Sequence, residues 1–197
     1  MKIISLKKSK NISSLGAFKH YLFLLPALFL FTNVFSKEII IEPGENAHER
    51  LQESMILMEE GDILLIKSGY YSFEDGLSLD IDGVTVIGEG MDKTILDFKN
   101  QQSGAQGLLV TSNKVTLKDF AILDAKGDAL KVIGAEGINM INLRTEWTGG
   151  PTSTNGAYGF YPVESEDVLI DGCVAIGASD AGIYVGQSKN IIVRNSI

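Results

Sequence analysis

The sequence predicts an all-β fold, a right-handed single-stranded parallel β-helix with a short N-terminal capping helix, and three observations carry that prediction. The first is a repeat. Val115-Thr116-Leu117, Ile138-Asn139-Met140, Val168-Leu169-Ile170 and Ile191-Ile192-Val193 are one motif written four times, with starts 23, 30 and 23 residues apart. A period of that size marks a solenoid whose coils bury their apolar faces only by stacking on one another. The second is a set of columns. Val115, Ile138, Val168 and Ile191 align, as do Leu117, Met140, Ile170 and Val193, and then Phe120, Leu143, Cys173 and Ser196. The third is a constant return. A second strand in each coil aligns Leu108, Leu130, Phe160 and Ile183, then Val110, Val132, Pro162 and Val185, and the next coil begins five, six, six and six residues later. An ordinary sheet sandwich would not hold such columns in register across coils.

Spacing by two between apolar positions is strand spacing, so each trio is a short strand with alternate side chains in a common interior. Asp119, Asn142, Gly172 and Asn195 stand before the third column, the small polar types that tolerate a bend. The register predicts that Leu117, Ile170 and Ile183 are buried and that Thr116, Lys131 and Tyr184 face outward. Pro162, which has no N–H for a ladder, predicts a local break in its coil.

Taken in order, Met1 to Ser36 reads as an export signal. Lys2, Lys7, Lys8, Lys10 and Lys19 precede an apolar run from Tyr21 to Phe35, with no acid, and Val34-Phe35-Ser36 offers a cleavage point. The run is short for a membrane span and contains Pro26; an uncleaved anchor is the alternative. The mature protein is then expected to be exported, periplasmic or extracellular, and off the membrane. Residues 37–61 supply a first strand at Ile39-Ile40-Ile41, a turn at Pro43-Gly44, and an amphipathic helix with Leu51, Met55 and Met58 on one face, ended by Gly61. Such a helix closes the open end of the solenoid. Residues 62–197 are the β-helix, with entry strands at Ile63–Ile66, Leu77–Leu79, Val84–Val86 and Thr94–Leu96. Gly88-Glu89-Gly90 lies between strands, with Lys93 where a third glycine of a dinucleotide motif would stand, so it reads as a turn. Because Ile197 falls inside a strand, further coils are expected beyond it.

Charge and residue usage exclude several classes. Loss of five lysines with the leader takes the formal charge from −8 to −13, which argues against nucleic acid and anionic membranes as partners. Cys173 is the only cysteine and shares a column with Phe120 and Leu143, so it reads as a small buried hydrophobe. The two histidines are His20, in the leader, and His48, on the polar side of the cap, which leaves no parts for a histidine metal site or a Ser-His-Asp triad.

Gly61-Asp62 leading to Gly69-Tyr70-Tyr71, then Asp82-Gly83-Val84-Thr85-Val86-Ile87-Gly88-Glu89-Gly90, resembles the opening coils of pectin-lyase-like right-handed β-helix proteins. Asn155-Gly156-Ala157-Tyr158-Gly159-Phe160-Tyr161-Pro162 and Ile176-Gly177-Ala178-Ser179-Asp180-Ala181-Gly182-Ile183-Tyr184-Val185-Gly186 resemble a family of exported bacterial parallel β-helix repeat proteins. The resemblance covers essentially the whole chain after the leader and implies fold more than chemistry, because such folds host lyases, hydrolases, epimerases, esterases and non-catalytic proteins. Neither the paired aspartates of polygalacturonases nor the aspartate-proline-histidine-aspartate signature of alginate epimerases is present.

The expected site lies on the second strand. Leu109, Lys131, Tyr161 and Tyr184 form an outward stripe, and Gly107, Ala129, Gly159 and Gly182 beside them are small, which would leave backbone accessible. The longer coil owes its seven extra residues to an insertion, Glu146 to Asn155, that carries the only tryptophan, Trp147, into this strand. Trp147, Tyr158, Tyr161 and Tyr184 would stack on sugar rings, with Asn155, Asp128 and Asp180 meeting the hydroxyls. Exposed aromatics that merely stack in ladders are the alternative. For catalysis on a uronate, Lys131 or Arg144 would supply positive charge or base, and Asp124, Asp128, Glu146 and Asp180 would hold calcium. Calcium would also bridge an acidic protein to an acidic polymer. The sequence thus points first to an exported scaffold or binding module that shows an aromatic stripe to a polysaccharide, a cell-surface glycan or an exported partner protein. The alternative is a calcium-assisted polysaccharide lyase or epimerase.

Overall fold

Alternating β-branched and aliphatic residues, interrupted every few positions by Gly, Asn or Asp, can neither form helices nor close one flat sheet, and the chain resolves that conflict by winding. The computed structural model describes residues 36–197. Apart from Ser36, the expected export signal lies outside the described residues.

In chain order, β1 (Glu38–Ile41) leads to α1 (Ala47–Leu57), β2 (Ile63–Ile66), β3 (Gly69–Ser72), β4 (Leu77–Leu79), β5 (Thr85–Ile87) and β6 (Thr94–Asp97). The regular coils follow: β7 (Gln106–Val110), β8 (Thr116–Lys118), β9 (Ala121–Leu123), β10 (Asp128–Ile133), β11 (Glu136–Ile141) and β12 (Arg144–Glu146). The last are β13 (Tyr158–Val163), β14 (Glu166–Asp171), β15 (Val174–Ile176), β16 (Ala181–Ile183) and β17 (Lys189–Arg194). Among the described residues every strand pairing is parallel, and the strands make three sheets: a first of seven, β1-β2-β5-β8-β11-β14-β17; a second of five, β3-β6-β9-β12-β15; and a third of five, β4-β7-β10-β13-β16. This is a pectin-lyase-like right-handed parallel β-helix. Each coil carries three strands, one more than the column spacing suggested. The second sheet is the addition, and its strands are only three or four residues long.

The predicted columns are the observed register. Ile138 pairs with Val168 and Val168 with Ile191, while Leu130 pairs with Leu108 and Phe160. Leu117 and Ile170 are fully buried, Thr116 and Lys131 are partly exposed on the outer face, and Tyr184 is 42% exposed. Ile183 is half-buried rather than buried; among the described residues no further strand pairs with β16 on its outer side. Cys173 is buried, its Sγ 3.4 Å from the Met140 carbonyl, and burial pushes its thiol pKa up.

The bend between the first and second sheets explains its own residue types. Asp119, Asn142, Gly172 and Asn195 all have positive φ, 61°, 50°, 66° and 52°. Asp, Asn and Gly enter this region at low cost. At the N-terminal end, α1 packs Ala47, Leu51 and Met55 over the first coil. The Asp62 carboxylate accepts the backbone N–H groups of Lys37 and Glu59 at 2.9 and 3.0 Å, which joins the start of β1 to the end of the cap and holds Asp62 below the usual carboxylate range. Gly88-Glu89-Gly90 is a turn, with Glu89 accepting from the Ser68 N–H, the Ser68 hydroxyl and Lys67.

Candidate functional site

The third sheet is built so that two outward columns stand side by side. In β7, β10 and β13 the two residues after the first are both buried, Gly107-Leu108, Ala129-Leu130 and Gly159-Phe160. Strict alternation would have put the small residue of each pair outside. Instead the strand wraps the corner where the third sheet meets the second. A Cβ on Gly107 would approach Ile122 Cγ2 at 3.0 Å, one on Gly159 would meet Thr145 Oγ1 at 2.5 Å, and one on Gly182 would meet Ala175 Cβ at 2.9 Å. These residues are small because another sheet lies against them; they do not leave backbone accessible.

With two residues tucked in, the first and fourth positions of each strand reach the same face, so Tyr158 and Tyr161 come together with Tyr184 from the next coil. The Tyr158 and Tyr184 rings stack at 4.6 Å with 15° between planes, Tyr158 and Tyr161 lie 4.7 Å apart, and Tyr161 and Tyr184 lie 5.5 Å apart. Lys131, in register with Tyr161, holds its Nζ 5.0 Å from the Tyr161 ring centroid. Toward the cap the stripe continues through Leu109 and Ser78.

Two carboxylates border this cluster. Burial is the main cause that raises Tyr158 above the usual phenol range, and the charge of Asp180 and its hydrogen bond from the phenol act in the same direction. Asp128, at the start of β10, is raised by burial, with the Lys131 charge and the Tyr158 backbone N–H opposing that shift.

The other expected members lie elsewhere. Trp147 does not join the tyrosines: it is 5% exposed, and its indole N–H donates to the Ala125 carbonyl at 2.7 Å. The insertion lies back over it. Gly150 N–H returns to the Trp147 carbonyl at 3.0 Å, and a Cβ on Gly156 would meet Trp147 Cζ2 at 2.7 Å. Asn155 is the clasp of that insertion, its amide donating to the Gly150 and Gly177 carbonyls at 2.9 and 2.6 Å. Arg144 is on the second sheet, apart from Lys131, paired with Glu146 at 2.9 Å and donating to the Met91 carbonyl at 3.1 Å.

The four carboxylates considered for calcium do not form a ligand set. Asp124 accepts the Thr148 N–H and hydroxyl at 2.7 and 2.6 Å, Glu146 is held by Arg144, and Asp128 and Asp180 border the tyrosines. Among the described residues no three His, Cys, Asp or Glu side chains converge. Among the same residues no helix is long and apolar enough to cross a membrane.

Comparison with known proteins gives no matching family model and no matching curated protein. Solved structures do match. An alginate lyase from Paenibacillus sp. strain FPU-7 superposes with a TM-score of 0.56 at 13% identity, over 80% of this chain and 65% of its own. A PL6-family alginate lyase gives 0.55 at 17% identity over 81% of this chain and 24% of its own, and a rhamnogalacturonan lyase gives 0.56 at 14% over 82% and 51%. This chain spans less than two thirds of each of those proteins, and at these identities the likeness is one of fold.

Proposed function

We propose that the protein binds a polysaccharide along the third sheet, with Tyr158, Tyr161 and Tyr184 as the sugar platform and Asp128, Asp180 and Lys131 as its polar partners. The observation that carries this reading is the gathering of three tyrosine rings from two successive coils on one outer face, beside carboxylates and an ammonium. Sugar rings present C–H faces that pack on aromatic rings, and their hydroxyls exchange hydrogen bonds with such groups. That fold neighbours include lyases named for alginate and rhamnogalacturonan supports the reading only at the level of fold. Each ring in contact with sugar is expected to contribute about 1 kcal/mol, so joint replacement of the three tyrosines by alanine should weaken glycan binding about tenfold or more. Affinity electrophoresis or a glycan array on the protein without its leader, with calcium and with chelator, is the test. If the replacements lower thermal stability and leave glycan retention unchanged, the rings are a stabilising ladder. If no glycan is retained in either condition, display of this face to an exported partner protein is the surviving form of the binding reading.

A second reading, a polysaccharide lyase or epimerase, is favoured by one feature of the same face. Asp128, raised by burial, and Tyr158 begin successive strands on the face where Lys131 lies over the Tyr161 ring, so a carboxyl, a phenol and an ammonium share that face. A lyase must show growth of unsaturated-product absorbance on a uronate polymer, lost in Asp128→Asn or Lys131→Met; absence of turnover on a polymer that is retained would leave binding alone.

A further inference from the structure

A cap is expected to turn a polar face to water, because its task is to close an apolar stack. Helix α1 does not do so at its C-terminal end. Ile56 and Leu57 are 62% and 66% exposed, and they wall a groove of about 430 Å³ between α1 and the β3–β4 connection, floored by Phe73 and Leu77. A smaller depression of about 220 Å³, reaching Asp80 and Ile81, lies on the other side of Ile56. The groove is built rather than incidental. Gln52 clamps the helix to β4 through both amide atoms, donating to the Ser78 carbonyl at 3.0 Å and accepting its N–H at 2.9 Å, and Phe73 stacks on Phe98 at 4.8 Å.

The charge around this apolar ridge has one sign. Glu49, Glu53 and Asp75 border the groove, Asp80 borders the depression, and the last turn of α1 contains no basic residue to offset the negative end of its dipole. The arginine of the helix, Arg50, donates to the Glu42 carbonyl at 2.9 Å. His48 stands beside Glu49, its Nε2 3.9 Å from the carboxylate. We infer that this groove is a docking surface for a cationic amphipathic polypeptide segment, one that offers two or three aliphatic side chains to Ile56 and Leu57 and flanks them with Lys or Arg. Apolar anchors in a groove with a complementary charged border are the way helical and extended segments are recognised. An anionic lipid surface would meet the same carboxylates with repulsion.

The probe is a fluorescein-labelled 18-residue Leu/Lys amphipathic peptide, with a Leu/Glu peptide of the same pattern as its partner, followed by anisotropy against the protein without its leader. The Leu/Lys peptide should bind, more weakly as salt rises, and the Leu/Glu peptide should not. Ile56→Gln with Leu57→Gln, both on exposed positions, should reduce affinity at least tenfold at unchanged thermal midpoint. Glu49→Gln with Glu53→Gln should reduce it severalfold, whereas Glu136→Gln with Glu166→Gln, an equal change of net charge on distant strands, should not. Equal loss in the two charge pairs would show attraction by net charge alone and overturn the inference. So would binding of the Leu/Glu peptide, retention on anionic vesicles that depends on Ile56 and Leu57, or concentration-dependent dimerisation abolished by the same pair, which would make the occupant a second copy.

Discussion

Replacing Trp147 by alanine removes the largest side chain of the insertion from beneath its own loop and leaves the Ala125 carbonyl without its donor. The loss of burial and the cavity together should cost about 3–5 kcal/mol, read as a lowered denaturant midpoint, while glycan affinity measured below that midpoint stays within twofold. A platform role for Trp147 would reverse that pattern. Gly159→Ala makes a second residue-scale test. Its Cβ would lie 2.5 Å from both the Gly182 carbonyl and Thr145 Oγ1, so one methyl should destabilise by about 1–3 kcal/mol. A neutral result would mean that the second and third sheets separate easily at this corner. Alternation fixes the direction of a side chain inside a regular strand, which is why Lys131, Tyr161 and Tyr184 were legible as outward. It says nothing of a residue on an insertion, such as Trp147, and it fails where two successive positions turn inward, as at Gly159 and Phe160.

At the scale of elements, Pro162 separates register from hydrogen bonding. It pairs with Val132 in an unbroken β13, so the expected break does not occur in its own strand or on the side of the preceding coil. The break is displaced by one coil. Tyr184 N–H donates to the Phe160 carbonyl and Gly186 N–H to the Pro162 carbonyl, both at 2.9 Å, and between them the Tyr184 carbonyl faces the proline nitrogen, which has no proton. Accordingly β16 ends at Ile183, and pairing resumes only as the single bridge between Val163 and Gly186. Pro162→Val restores the donor. Native-state hydrogen exchange should then show slower exchange of the Tyr184 and Gly186 amides, with little net change in global stability, because a net hydrogen bond of about 1 kcal/mol is offset by greater freedom in the unfolded chain. Unaltered exchange there would show that the missing proline donor is not what ends β16 at Ile183. The second sheet was hidden for a related reason: strands of three residues, such as Ala121–Leu123 with every residue buried, carry too few positions to display a period.

For the molecule as a whole, pH should act through two sets of carboxylates of opposite sign. Asp62, Asp82, Glu89 and Asp171 hold connections between coils, and each is held below the usual carboxylate range. Asp62 and Asp82 are lowered chiefly by backbone N–H groups, Asp171 by the hydrogen bond from Arg194, and Glu89 by the Ser68 hydroxyl first and then by Lys67 and the Ser68 N–H. A carboxyl more acidic in the folded state contributes stability above its unfolded pKa and loses it as pH falls through its folded one. For Glu89 that window runs from the ordinary 4.5 down to about 2. Asp128 is the opposite case: raised by burial, it contributes at pH below its unfolded value, and the contribution disappears as pH rises through the folded one. Urea midpoints at a series of pH values should therefore show the deficit of Glu89→Gln shrinking toward zero as the solution is acidified through that window. Asp128→Asn should instead gain on the parent as pH rises above the ordinary aspartate range. Because Asp128 borders the tyrosines, the same rise in pH leaves its carboxylate charged beside any bound sugar. A glycan that depends on Asp128 as a donor should be released over the interval in which Asp128→Asn gains stability, whereas release at a different pH would remove Asp128 from the binding face.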